Sequence, residues 1–233
     1  MAKHLKRLAM PKTWPLARKQ TVWITKPLPS GHSLELCLPI NIVLRDLLGI
    51  TTKTKETKKL LATSEIKIDE RRVKDYKEAM GLFDRLYLPG LDKYYTLIIN
   101  RKNKLKLVEL PKELATTKPL KIKNKVMVKK AKIQLTFHDG RTILAGNEFK
   151  VNDSVLFDLK NKKIVKHLPL KKDANVYIIG GKHVGQFGKF KESVVKGNRR
   201  YAIVDIDGKN YEILIKNTFV IDEENKKLIE QNV

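Results

Sequence analysis

Five histidines (His4, His32, His138, His167 and His183) and one cysteine, Cys37, are the side chains of this 233-residue chain best suited to proton transfer, nucleophilic attack or zinc binding. Zinc selects imidazole and thiolate, and a cysteine nucleophile is activated by an imidazole within reach. Here no two histidines stand four apart, none adjoins Cys37, and no Cys/His spacing suits a metal. Each histidine therefore reads as a surface or phosphate-facing residue rather than a ligand. The glycine-rich stretch "GGKHVGQFGKF" offers a phosphate cradle, but the pattern GxxxxGK[ST] fails, because Phe190 follows Lys189 and His183 stands where its first glycine belongs. Nor does this stretch open a helix, as a dinucleotide fingerprint must; its glycines instead suit positive φ in a tight β loop. No catalytic residue, metal site or cofactor is expected, and the chain reads as a non-enzyme.

The residue types that do recur are lysine and arginine, whose chemistry is the neutralisation of phosphate. They number 49 against 25 Asp and Glu, a formal net charge of +24. A compact chain tolerates such self-repulsion when a polyanion accompanies it. An anionic membrane is the poorer candidate, because no apolar run of about 18 residues and no sustained basic amphipathic helix is present. No apolar stretch of about 7 to 15 residues follows the charged start, so a secretory signal is not expected. A lone cysteine closes no internal disulfide and suits a reducing compartment, so a cytoplasmic location is expected. Aromatic residues make up 7% of the chain, and no segment interleaves them with basic residues as a stacking platform for single strands does. Phosphate contacts and shape are the expected readout, with no small-molecule substrate.

The elements that must position these cations fall into four blocks, residues 1–40, 41–92, 93–170 and 171–233, with net charges of +6, +2, +13 and +3. The first is a basic N-terminal extension. Its opening "AKHLKRLAMPKTWPLARK" contains no acid, and the first carboxylate of the chain is Glu35. Pro11, Pro15, Pro27, Pro29 and Pro39 exclude a long regular element, so an extended arm is expected. Trp14, Trp23 and Ile24 set it apart from a solvated tail and suggest an arm that orders on RNA, with its tryptophans pinned on protein or sugar. Lys3, His4, Lys6, Arg7, Lys12, Arg18 and Lys19 are its candidate RNA contacts.

Block two reads as a small helical unit ending in strands. In "LPINIVLRDLLGI" the residues Ile40, Val43, Leu44, Leu47 and Leu48 share one helical face, with Pro39 at the start and Gly49 at the stop. "TKETKKLLAT" makes a second helix, with Leu60 and Leu61 inward and Lys55, Lys58 and Lys59 outward. "SEIKIDERRVKDY" alternates like a strand and turns near Asp69 to Arg71. Blocks three and four read as hairpins, two of them with Asp-Gly tips, at 139–140 and 207–208. Short strands at such spacing suggest small barrels. Within block three "LKIKNKVMVKKAKIQL" carries Lys121, Lys123, Lys125, Lys129, Lys130 and Lys132, partly alternating with Ile122, Val126, Val128 and Ile133. A strand that buries the apolar set presents these ammonium groups together, as point charges suited to phosphate; the alternative is a merely solvated face.

The strings "KHLKRLAMPKTWPL", "LPINIVLRDLLGI", "GLFDRL" and "VYIIGGKHVGQFGKF", in this order, resemble the archaeal and eukaryotic small-subunit ribosomal protein family S4e, and the resemblance covers essentially the whole chain. It implies an α+β, multi-domain protein: the basic arm (1–40), a small S4-like α/β RNA-binding module (41–92), a central β domain (93–170) and a C-terminal SH3-like (KOW) β-barrel with a tail (171–233). Within the S4-like module it implies an RNA face of Lys55, Lys58 and Lys59 with Arg71, Arg72 and Lys74. In the KOW loop it points to Lys182, His183 and Lys189, facing RNA or a neighbouring protein. The chain departs from the pattern at Glu70, where such modules usually turn with Asp-Gly, and at Asn175, where a KOW module often begins with glycine. The partners implied are small-subunit ribosomal RNA and neighbouring ribosomal proteins.

Two other functions fit parts of this pattern. An RNA-modifying enzyme anchored by an S4-like domain needs a catalytic domain, whereas short paired strands follow the module here. A free KOW-containing transcription or translation factor would differ in stoichiometry, leaving washed small subunits that a structural component stays with.

Overall fold

The structure, a computed structural model, describes residues 4–128 and 132–232. Strands dominate; among the described residues helices longer than two turns are confined to 40–47, Thr54–Thr63 and Glu223–Glu230. The chain is therefore mostly β with few helices. It divides into two compact units, one of Met1–Ile98 with Lys104–Thr116, the other of Ile99–Asn103 with Thr117–Val233.

In the first unit the N-terminal segment is folded. Leu5–Lys6 pairs antiparallel with Trp23–Ile24, matching Leu5 to Ile24 and Lys6 to Trp23. Successive strand residues face opposite ways, so Leu5 and Ile24 turn inward while Lys6 and Trp23 share the outer face. The intervening loop closes around Arg7, whose guanidinium donates to the Ala17 carbonyl (2.6 Å), Thr21 Oγ1 (3.2 Å) and Gln20 Oε1 (2.8 Å). Arg18 likewise donates to the carbonyls of Leu8 and Met10, both at 2.9 Å. Prolines did exclude long elements here, but the guanidinium groups satisfy the backbone that regular structure leaves unpaired, and a loop results where an extended arm was expected.

The helix from Pro39 starts as α over Ile40–Ile42 and widens over Val43–Leu47, where the Leu48 amide reaches back five residues to the Val43 carbonyl at 3.0 Å. Gly49, at φ +66°, ends it. Helix Thr54–Thr63 matches the predicted span, and its start is held by the Glu56 carboxylate, which accepts from the amides of Thr52 (2.8 Å) and Lys53 (3.3 Å). A hairpin, Lys67–Ile68 with Arg71–Arg72, turns through Asp69 and Glu70, both left-handed at φ +49° and +63°. Its first strand enters a five-stranded sheet in the order Arg71–Arg72, Lys67–Ile68, Arg85–Leu88, Lys93–Ile99, Leu105–Leu110. Lys93–Ile99 and Leu105–Leu110 thus extend the sheet begun in block two, whereas the sequence division placed them at the start of a central β domain.

The second unit contains two five-stranded antiparallel sheets. In one, the long strand Thr117–Val128 is shared between partners: Thr117–Lys121 pairs with Ser154–Asp158, and Ile122–Val128 pairs with Lys132–Phe137, across an irregularity at Ile122/Asn124. Such a bend turns a sheet toward closure. Leu120, Ile122, Leu135, Phe137, Val155 and Phe157 fill its core. The other sheet runs in the order Lys209–Leu214, Arg199–Ile206, Phe187–Lys196, Asn175–Ile178, Thr218–Val220, over a core that includes Val176, Ile178, Val204 and Ile213. Both expected Asp-Gly tips are in place: Gly140 lies at φ +84°, and Asp207 and Gly208 at +50° and +80°. Gly185, at φ +76°, admits no side chain, because a Cβ there would lie 2.5 Å from the backbone of Asn100 and Arg101.

Candidate nucleic-acid interface

Of the side chains best suited to catalysis, Cys37, His32 and His167 are engaged in the fold. Burial, then the nearby Asp84 carboxylate, pushes the Cys37 thiol up to about 11, the opposite of what a nucleophile needs. His32 pairs with Asp84 (3.2 Å) and His167 with Asp153 (2.9 Å), while the other carboxylate oxygen of Asp84 accepts from the Gly81 amide at 2.6 Å. These pairs fasten loops to strands. Among the described residues no group of three or more His, Cys, Asp or Glu could hold a metal ion.

The cations sort into those that face solvent and those that hold the fold. His4, Lys6, Lys12 and Lys19 are exposed, while Arg7 is buried and Arg18 is half-buried with its guanidinium on two carbonyls. Lys3, Lys129 and Lys130 lie outside the described residues. On helix Thr54–Thr63 the side chains of Lys55, Lys58 and Lys59 face outward, with the Lys58 ammonium 4.7 Å above the Tyr76 ring. Arg71, Arg72 and Lys74 are exposed as well, and Arg72 Nη2 donates to the Ala62 carbonyl at 3.2 Å, which joins the hairpin to the last turn of that helix. Helix and hairpin are thereby joined, their exposed cations interspersed with the exposed acids Glu56, Glu65, Glu70 and Asp75. Lys182 and Lys189 are exposed; His183 is half-buried, its ring 4.1 Å from that of Tyr211.

The lysine run departs most from its expected face. Lys123 and Lys132 are exposed, but Lys125 is half-buried and donates to Asn147 Oδ1 (2.6 Å) and the carbonyls of Asn147 and Phe149 (both 3.0 Å). Lys121 is buried, and its ammonium donates to the carbonyls of Ile215 (2.6 Å), Lys216 (3.3 Å) and Thr218 (2.6 Å), too deep to touch phosphate. Val126 and Val128, expected inside, are exposed, because this end of the strand reaches past the core that buries Ile122. The alternation held locally, but sheet twist and the irregularity at Ile122/Asn124 redirected both faces.

Burial pulls Lys121 down to about 7, while an unfolded chain keeps the ordinary lysine value of 10.5. Between those values the unfolded state binds more protons, so the stability of the second unit should rise as pH climbs from about 7 to about 10. Lys121→Met should abolish that rise in urea titrations and, by orphaning three carbonyls, lower stability at pH 7 by about 1–3 kcal/mol. A variant with an unchanged midpoint and pH slope would contradict this role.

Exposed cations that the sequence reading passed over include Arg199 and Arg200, at the tip of the hairpin formed by Phe187–Lys196 and Arg199–Ile206. The string "KGNRR" between two strands was the available signal. Trp23, expected to be pinned on protein or sugar, is 56% exposed, lies beside Lys6 across the strand pair, and forms a T-shaped ring pair with His4 at 5.8 Å.

The fold is a strand-rich scaffold that presents exposed lysines and arginines, the kind of surface that polyanion-binding proteins carry. The Ribosomal family S4e model matches residues 91–164, and that of the RS4NT (NUC023) domain matches residues 1–35. The chain is 43% identical over 193 residues to "Small ribosomal subunit protein eS4" of Nanoarchaeum equitans, covering 82% of each chain. It is 39% identical to the protein of that name from Methanocella arvoryzae, covering 86% of each. The crystal structure of the 30S ribosomal protein S4e from Thermoplasma acidophilum superposes with a TM-score of 0.69 at 27% identity, covering 82% of this chain and 97% of that one. The chain belongs to the S4e family of small-subunit ribosomal proteins, a family of ribosomal components and not of enzymes.

Proposed function

We propose that this protein is a structural constituent of the small ribosomal subunit in the cytoplasm, where it grips ribosomal RNA through lysine and arginine contacts to phosphate and braces neighbouring ribosomal proteins. The observation that carries the reading is its likeness, across most of the chain, to proteins named as small ribosomal subunit proteins. The net charge of +24 supports it.

In this reading residues 41–92 act as an S4-like module whose phosphate-facing surface is Lys55, Lys58, Lys59, Arg71, Arg72 and Lys74. The N-terminal segment adds His4, Lys6, Lys12 and Lys19, block three adds Lys123 and Lys132, and the loop after Ile178 adds Lys182, His183 and Lys189. Residues 171–233 act as an SH3-like barrel of the KOW type. Their strand order supports that: the last strand, Thr218–Val220, follows a short 3-10 turn, Ile215–Asn217, and pairs back to the first, Asn175–Ile178. The test is fractionation. The protein should remain with salt-washed small subunits at unit stoichiometry, and its release into the wash would favour a free factor instead.

A further inference from the structure

The two tryptophans of the chain have opposite fates: Trp14 is fully buried, and Trp23 stands 56% exposed on the outer face of the strand pair Leu5–Lys6 with Trp23–Ile24. An indole presents a large apolar face with a polar N–H, and exposed indoles are favoured where a partner docks. Lys6 is the cross-strand neighbour of Trp23 on the same face, and the rings of His4 and Trp23 form a T-shaped pair with centroids 5.8 Å apart. Lys19 is exposed in the connecting loop, and no carboxylate lies anywhere between residues 2 and 34.

An exposed indole beside a cross-strand lysine, on a segment without an acid between residues 2 and 34, is a surface that suits an unpaired nucleotide. The base stacks on the ring, and the flanking phosphates meet the ammonium groups. A protein segment acidic enough to suit the cations would have to cover the indole with an apolar side chain as well, whereas one nucleotide supplies both the π-face and the charge. We propose that Trp23 is a stacking platform for a single unpaired base of ribosomal RNA, with Lys6 and His4 positioned for its phosphates. This rests on the RNA-binding function proposed above and specifies one contact within it. It also adds a base contact to a surface otherwise suited to phosphate alone.

Because Trp14 is sealed off, a change in intrinsic fluorescence on RNA binding reports Trp23. The experiment titrates the full chain with a small-subunit ribosomal RNA transcript, following indole emission and, in parallel, retention on a filter. Saturation should quench the exposed indole, and Trp23→Phe should lose the quench while keeping most of the affinity. Trp23→Ala should weaken binding by about 5- to 150-fold, the range for removing one stacked base, without altering the salt slope or the thermal midpoint. Lys6→Ala should instead reduce the salt slope by about one.

Four results overturn the proposal. Filter retention without any change in emission, or parental affinity in Trp23→Ala, removes the stacking contact and leaves the RNA-binding function standing. Emission that changes only in assembled subunits and not on naked RNA assigns Trp23 to a protein neighbour. Absence of retention and of quenching alike sinks both the contact and the function it rests on.

Discussion

Raising monovalent salt from about 50 to about 200 mM should weaken binding to small-subunit ribosomal RNA by about three to five decades, if roughly 6 to 10 phosphates are neutralised. Each exposed Lys or Arg that meets a phosphate displaces condensed counter-ions, and their release drives binding only while bulk salt is dilute. Buried cations contribute nothing to that slope. Arg7, Lys121 and Lys125 already donate to protein oxygens, so the charges of the proposed surface are those of the helix Thr54–Thr63, its adjoining hairpin, Lys123 and Lys132, the loop at Lys182 and the N-terminal face. Filter binding across a salt series measures the slope. Replacing Lys55, Lys58 and Lys59 together by Ala should flatten it by about three times the single-lysine value, whereas Lys121→Met should leave it untouched. A shallow slope for the parent protein would remove polyelectrolyte binding as the mechanism.

Trp14→Ala should destabilise the first unit by about 3–5 kcal/mol, the range for truncating a fully buried large aromatic side chain. The indole is completely enclosed, and its Nε1 donates to the Leu34 carbonyl at 3.2 Å. Around it the Thr13 hydroxyl donates to the Glu35 carbonyl (2.5 Å), the Leu105 amide to the Thr13 carbonyl (2.8 Å), and the Lys104 ammonium to the carbonyls of Lys12 (2.5 Å) and Trp14 (3.1 Å). Removing the ring leaves a cavity and an unpaired carbonyl where the N-terminal segment meets the sheet strand Leu105–Leu110. Urea denaturation should show a lower midpoint for this unit, and limited proteolysis should cut first within residues 10–35. Trp23→Ala is the control, since loss of an exposed indole should leave the midpoint where it is. If Trp14→Ala unfolds at the parental midpoint and resists protease equally, the segment is not anchored by this residue.

Local order was legible in the sequence wherever a physical signal spans a few residues. The helix Thr54–Thr63 followed from its outward lysines and inward Leu61, and the Asp-Gly pairs at 139–140 and 207–208 fell at hairpin tips, where Gly140 and Gly208 take the left-handed backbone that glycine permits. Glu70 shows the limit of that signal: it takes φ +63° without being glycine, held there by the two strands on either side. The extent of the first unit's sheet was not legible, since nothing in "KYYTLII" distinguishes pairing with the preceding strand from founding a new domain.

By itself the sequence determined the charge, hence the need for a polyanionic partner, because net charge depends on composition alone. It also determined the local helices and turns, which arise from periodicity and backbone preference within a few residues. Only the tertiary structure decided which cations are free: Lys121 and Lys123 stand two apart in one string, yet one is sealed beneath three carbonyls and the other faces solvent. It alone separated Trp14 from Trp23. Burial is set by what packs from distant parts of the chain, and a lysine or an indole carries no local mark of the strand that will come to lie over it.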